Sequence, residues 1–188
     1  MHEKGITIAH YTTGTYKTNN TYLNDDEYGR ALDTFVKACV DAVIVRKSQN
    51  GMDWEMLLGK RNIEPYSNWW TFGGRMRAGE TPLQTLQRNL ERDLEMNPMD
   101  IQSIHFLTLG SFAWGTREQE PKHHGTCDII LFHLITLCSP EKDFQATPLE
   151  YSEIRWIPFM EIAEELNGYH SALISLVRCI RQKMMSVR

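Results

Sequence analysis

The sequence has no apolar run near the 18 residues that a bilayer-crossing helix requires, so no membrane-spanning helix is expected. Its opening stretch, MHEKGITIAHYTTGTYKTNN, lacks the long apolar core of a secretory signal. Cysteine is scarce. Cys39, Cys127, Cys138 and Cys179 are scattered and never fall in C-x-x-C spacing, which argues against a structural zinc site and against a disulfide framework. Positive charge is also in deficit: 20 Lys and Arg face 24 Asp and Glu, for a net charge of −4. That removes the broad cationic footprint of a nucleic-acid-binding protein. These absences predict reduced thiols, a cytoplasmic location, and neither membrane nor nucleic acid as partner. An anionic ligand would have to be met by local cations or by a metal.

What is present suits one ordinary globular domain: 188 residues, 41% hydrophobic and 23% charged. A chain of this size buries roughly 70% of its unfolded surface. Neither an internal repeat nor a low-complexity linker interrupts it. Residues 1–36 read as an N-terminal arm and helix, and 37–188 as the main domain. In the first part, NDDEYGRALDTFVKAC offers an Asx cap and acidic residues in its first turn, with Leu32, Phe35 and Val36 as a buried stripe.

The main domain alternates strand and helix signals. CVDAVIVRK and WEMLLGKR read as a hairpin around the turn SQNGMD. WWTFGG reads as a short strand ending in glycines, IHFLTLGSFAW and TCDIILFHLITL as longer strands, and YSEIRWIP as a last short one. GTREQEPKHHG reads as an exposed polar loop. PFMEIAEEL and SALISLVRCIRQKM read as helices, the second with Leu173, Leu176, Val177 and Ile180 on one face. Strands interleaved with helices predict an α/β fold, a mixed β-sheet packed between helices.

The stretch WWTFGGRMRAGETPLQTLQRNLERDLEM carries the chemistry. Thr81 is a natural helix cap and Pro82 fits the first helical position. At about 100° per residue, Leu83, Leu86, Leu90 and Leu94 share a buried face. Asn89 and Asp93, four apart, lie together on one flank, while Glu91 and Glu95 lie elsewhere and read as surface acids. Before the helix, Gly73 and Gly74 let the backbone approach a ligand and free carbonyls to point into a site. A carbonyl, a carboxylate and phosphate oxygens make the oxygen-rich shell that magnesium prefers.

This stretch resembles the box of the Nudix hydrolases, G-x5-E-x7-R-E-U-x-E-E-x-G-U with U aliphatic. Gly74, Glu80, Arg88, Leu90 and Met96 match. Asn89, Arg92, Asp93 and Glu95 depart from it, replacing three glutamates and a glycine. The departures resemble the GDP-mannose mannosyl hydrolase branch, and LLGKRN, WWTFGGRM and IRWIP with its following helix extend that likeness across most of residues 36–165. The resemblance implies a Nudix α/β/α sandwich. It also implies a magnesium-dependent hydrolase, with manganese as a substitute, that acts on a nucleoside diphosphate sugar. Water would attack the anomeric carbon and the intact diphosphate would leave. Alternatives are a pyrophosphohydrolase attacking phosphorus and a non-catalytic nucleotide-binding domain.

Carried over residue by residue, the Gly73 carbonyl and the Asp93 carboxylate would bind one magnesium, and Arg61 and Arg75 would face the diphosphate. Glu80 would be an outer ligand or a loop brace. Arg92, where the family has a glutamate, would either repel further metals or point to solvent. The branch's third ligand and its general base fall on Thr126 and Cys127, which suit neither role. Nearby, His124 has the ordinary pKa of a base and Asp128 could be a ligand or base, with His123 a further candidate. Trp70 and Trp114 are the aromatic surfaces that could stack on a base or sugar. The resemblance further implies a homodimer, in which the N-terminal arm could exchange between subunits.

Overall fold

A computed structural model describes residues 8–18, 21–48 and 51–185. His2, and Gln49 and Asn50 of the expected turn, lie outside the described residues. The order is α1 (Asp25–Leu32), β1 (Lys37–Lys47), β2 (Trp54–Arg61), β3 (Trp69–Trp70), β4 (Phe72–Arg75), α2 (Pro82–Leu94), β5 (Ile101–Trp114), β6 (Thr126–Leu137), β7 (Tyr151–Pro158), α3 (Phe159–Ala163) and α4 (Ser171–Met185). The strands join in one seven-stranded sheet running β3-β2-β1-β6-β5, with β4 also on β1 and β7 also on β2. Among the described residues, β1 and β6 pair in parallel and the other pairings are antiparallel. The sheet is therefore mixed, as its sequence pattern suggests.

Alternation along β1 divides the core in two. Val40, Ala42 and Ile44 face α2, whose Leu86, Leu90 and Leu94 are buried against them. Cys39, Val43 and Val45 face the other way, towards Phe159 and Ile162 of α3 and Leu173, Leu176, Val177 and Ile180 of α4. This is an α/β/α sandwich. Burying each of these side chains contributes about 1.5–3 kcal/mol, which is why the predicted faces of α2 and α4 hold. Leu83 is the exception: it is exposed, one turn from the buried sector.

Two expectations need correction. Helix α1 stops at Leu32 and does not run on to Cys39, so Phe35 and Val36 are exposed rather than part of a buried stripe. Asp33 caps the end, and its carboxylate is drawn across to Arg117. The loop GTREQEPKHHG is not uniformly exposed either, because Arg117 within it is only 1% exposed. The fold holds this buried cation with Asp33 Oδ1 at 2.6 Å and with the carbonyls of Gln119, Glu120 and Gly125. A buried guanidinium is tolerated only when its donors are satisfied in this way.

α1 seats tightly on that loop. A Cβ at Gly29 would lie 2.8 Å from the Glu120 carbonyl oxygen, so any side chain there would push the helix away. No described helix is long and apolar enough to cross a membrane.

Candidate active site

Where β1 and β6 begin, the sheet opens into a cleft of about 340 Å³. Its walls come from β1, β4, β6, the segment after β2, the 117–119 loop and α1. Gly73 meets the site because glycine alone fits: a Cβ would come within 2.3 Å of Asp41 Oδ1 and 2.4 Å of the Val40 carbonyl oxygen. The close register of β4 on β1, with Gly73 opposite Asp41, requires that contact.

Asp41 is the residue that sequence reasoning passes over. It reads as one polar interruption in an apolar strand, yet it lines the cleft at 4% exposure. Its Oδ2 accepts hydrogen bonds from Thr71 Oγ1 at 2.7 Å and Trp70 Nε1 at 3.0 Å. Burial pushes its carboxyl up to about 6, against the opposing pull of those two donors. Nearby Asp128 pushes the same way and Arg61 the other. A lone acid inside a β-branched run is the signal that could have found it, because burying a charge without a purpose is costly.

The box residues are gathered by arginines. Glu80 pairs with Arg88 through two short contacts of 2.7 Å and accepts from Thr85 Oγ1 and the Arg77 amide. Arg88 beside it pulls the Glu80 carboxyl down to about 2. Arg88 also donates to Asn89 Oδ1 and to the Arg75 carbonyl, and Asn89 donates to the Gly74 carbonyl. Glu80 is thus a brace between the loop and α2. Glu95 ends α2 in a left-handed conformation, φ 50°, where the family pattern has glycine.

Asp93 is 1% exposed, and Arg92 links it to the Gly73 carbonyl. Both are already engaged. Arg92 donates to Asp93 Oδ1 through Nε at 2.6 Å and to Oδ2 through Nη2 at 3.0 Å, and the same Nη2 reaches the Gly73 carbonyl at 3.1 Å. A divalent ion between these two oxygens would have to displace that guanidinium. The third expected ligand, Asp128, lies across β1 and not beside Asp93: it is opposite Lys37 in the β1–β6 register. Among the described residues, no group of three or more His, Cys, Asp and Glu side chains could hold a metal. This donor set does not fit the magnesium centre that the resemblance implies.

The remaining candidates divide. Arg61 and Arg75 both line the cleft. Arg75 lies 4.6 Å above the ring of Tyr28, so α1 helps to set its direction. His124 lies outside the cleft lining: its Nδ1 is 3.1 Å from Asp33 Oδ1, and its side chain is 45% exposed. His123 packs edge-on against it. Cys127 is exposed, while its neighbours Thr126 and Asp128 point to the cleft by strand alternation.

Trp70 is buried, with Tyr66, Phe112, Trp114 and His170 packed edge-on around it, and its indole N–H is given to Asp41. Trp114 has Phe112 stacked on one side, ring centres 5.2 Å apart, and tilted Tyr66 at 5.8 Å. It gives its indole N–H to Asp128 Oδ2 at 2.9 Å. These indoles orient carboxylates and have little ring face left for a base.

Comparison with known proteins agrees with this architecture. No curated protein matches the sequence at a significant level. The Ap4A hydrolase of C. elegans, solved as a binary complex, is 20% identical; the match covers 80% of this chain and 99% of that one, with a TM-score of 0.62. The NUDIX domain of Shewanella oneidensis NrtR, solved with ADP ribose, is 17% identical over 86% and 99% of the two chains, with a TM-score of 0.60. The E. coli dihydroneopterin triphosphate pyrophosphohydrolase is 14% identical over 76% and 94%, with a TM-score of 0.55. The family model described as the NUDIX domain matches residues 37–177, from the first residue of β1 into α4. The chain belongs to the Nudix hydrolase family.

Proposed function

We propose that the cleft binds a nucleoside diphosphate sugar of the GDP-mannose kind and hydrolyses it at the anomeric carbon. Its diphosphate is met by guanidinium groups in place of a metal cluster. The observation that carries this reading is the position of Arg92, which already neutralises Asp93 and the Gly73 carbonyl. Arg61 and Arg75 supply two more cations to the same cleft. A planar guanidinium suits phosphate oxygens, and fixed cations stabilise charge that develops on a leaving group.

In this reading Asp41, deprotonated, takes a proton from water as the water oxygen bonds to the anomeric carbon. The bond from that carbon to the diphosphate oxygen breaks, and its electron pair stays with the diphosphate. Asp41 suits the role because burial raises its pKa towards neutrality, and because its two hydrogen bonds both fall on Oδ2. The test is GDP-mannose turnover in ¹⁸O-labelled water, with and without magnesium. Label in the released sugar, at a rate indifferent to magnesium, is the expected result. Label in a phosphate product would show attack at phosphorus instead.

A second reading, a domain that binds such a ligand without turning it over, also draws support from Arg92. Arg92 engages the two oxygens to which the resemblance assigns the magnesium. Thermal stabilisation by GDP-mannose or ADP-ribose with no product over hours would favour it. At one hundred times Kd, ligand binding raises stability by about 2.7 kcal/mol, which a melting curve resolves. A homodimer remains part of the proposal, checked by mass in solution.

A further inference from the structure

One end of the cleft holds two buried polar atoms that the fold leaves without a hydrogen-bond partner: Thr126 Oγ1 and Asp128 Oδ1. Both residues are 4% exposed and both line the cleft. Asp128 Oδ2 is held by the Trp114 indole, so the carboxylate is fixed in direction. Lys37 Nζ stands 3.2 Å from Oδ1, an ion pair that offsets the charge but is not aligned as a hydrogen bond. A buried polar group left unpaired costs about 1–3 kcal/mol, and such groups in native structures call for an explanation.

From this geometry we infer that Thr126, Asp128 and Lys37 form a polyol subsite, the place where the hydroxyls of the ligand's sugar ring are recognised. The chemistry is complementary. Asp128 Oδ1 accepts from a sugar hydroxyl, the Lys37 ammonium donates to a hydroxyl oxygen, and Thr126 Oγ1 can do either. Residues two apart on one face of a strand are spaced by about 6.5–7 Å, which matches hydroxyls on different carbons of one ring better than a single phosphate. The carboxylate oxygens of Asp128, which can only be met by donors, also suit a hydroxyl better than a phosphate there. Asp41 borders this subsite, since Asp128 is close enough to raise its pKa. The sugar would therefore lie against the residue proposed to act as base.

This inference rests on the proposed ligand class, and its test separates the two. Calorimetry of the full chain, in an Asp41→Asn background that suppresses turnover of the ligand, compares GDP with GDP-mannose for the otherwise wild-type protein, Thr126→Val and Asp128→Asn. Wild type is expected to bind GDP-mannose more tightly than GDP, and each variant to lose about tenfold of that added affinity while its affinity for GDP is unchanged. If the variants lose GDP and GDP-mannose equally, or neither, the polyol subsite is overturned while the ligand class stands. If wild type binds neither nucleotide, the ligand class falls, and the melting temperature of the ligand-free protein still decides whether the hydroxyl is unsatisfied. Thr126→Val, nearly isosteric, is expected to raise that temperature, because it removes an unpaired buried hydroxyl. A fall would show that Thr126 serves the fold alone and would overturn the inference.

Discussion

The two walls of the cleft handle buried polarity in opposite ways. On the wall built from β4 and α2, the acids of the box are paired within the protein: Arg88 clasps Glu80, and Arg92 clasps Asp93 and the Gly73 carbonyl, while Arg75 is left facing the cleft. On the wall built from β1 and β6, Asp41, Thr126 and Asp128 are buried, and two of their oxygens lack a hydrogen-bond partner. A closed network rigidifies a structure. An open one keeps free energy that a ligand can recover. In the proposed reading, the paired acids of the box serve stability and the sugar and the chemistry fall to the β1–β6 wall.

The comparison breaks most visibly at Asp41. Asp41→Asn is expected to lower kcat by about 100-fold or more, in the range of a lost general base, with a small change in KM. In the wild type, kcat/KM should rise as pH increases through about 6, because the deprotonated form is the active one. The stability of the fold runs the other way. The folded pKa lies above the unfolded value, so the contribution of this group is fully present below about pH 4 and is lost as pH rises through 6. Asp41→Asn should therefore raise the melting temperature at pH 8, while activity falls. A flat pH–rate profile between 5 and 8 would remove Asp41 from the chemistry.

On the closed wall, substitutions should cost stability first. Asp93→Ala is expected to destabilise by about 2–3 kcal/mol, the low side for a fully buried partner because Arg92 is partly exposed and can turn to water and Glu150. Denaturant midpoints measure this. Arg92→Ala sharpens the same point: it frees Asp93 and the Gly73 carbonyl, so millimolar magnesium should raise the melting temperature of this variant and leave the wild type unmoved.

Glu80→Gln should cost about 2 kcal/mol at pH 7. Its folded pKa, about 2, is below the unfolded value, so this stabilisation is present above roughly pH 4.5 and is lost as pH falls towards 2. The wild-type and variant melting curves should converge below pH 3. The smallest effect is expected at the end of α2. Glu95 holds a left-handed conformation that disfavours side chains, so Glu95→Gly should stabilise by about 0.5–1 kcal/mol despite the greater freedom glycine gives the unfolded chain.

Much of this was legible in the residues themselves. Most of β5, from 104 to 114, the caps of α2 at Thr81 and Pro82, and the inner face of α4 follow from local chemistry and periodicity, which act over a few residues. The box spacing drew attention to Gly73 and Asp93, which share Arg92 as a partner. That partner was not legible. Arg92 could have pointed to solvent, since nothing local fixes the direction of a long flexible side chain. The same holds for Arg117, whose partners include Asp33, 84 positions away in the chain. Trp70 and Trp114 were readable as aromatic surfaces, but only packing shows that their indole N–H groups are committed to Asp41 and Asp128.

Periodicity by itself determined most of the elements and the mixed sheet between helices, though not the end of α1, and the spacing of the box pointed to the Nudix family, because periodicity and short motifs are properties of neighbours along the chain. Tertiary structure alone decided which polar groups are answered and which are left waiting. That depends on the pairing of β1 with β6 and of β4 with β1, contacts that bring Lys37 to 3.2 Å from Asp128, set the Gly73 backbone against Asp41, and bury both carboxylates.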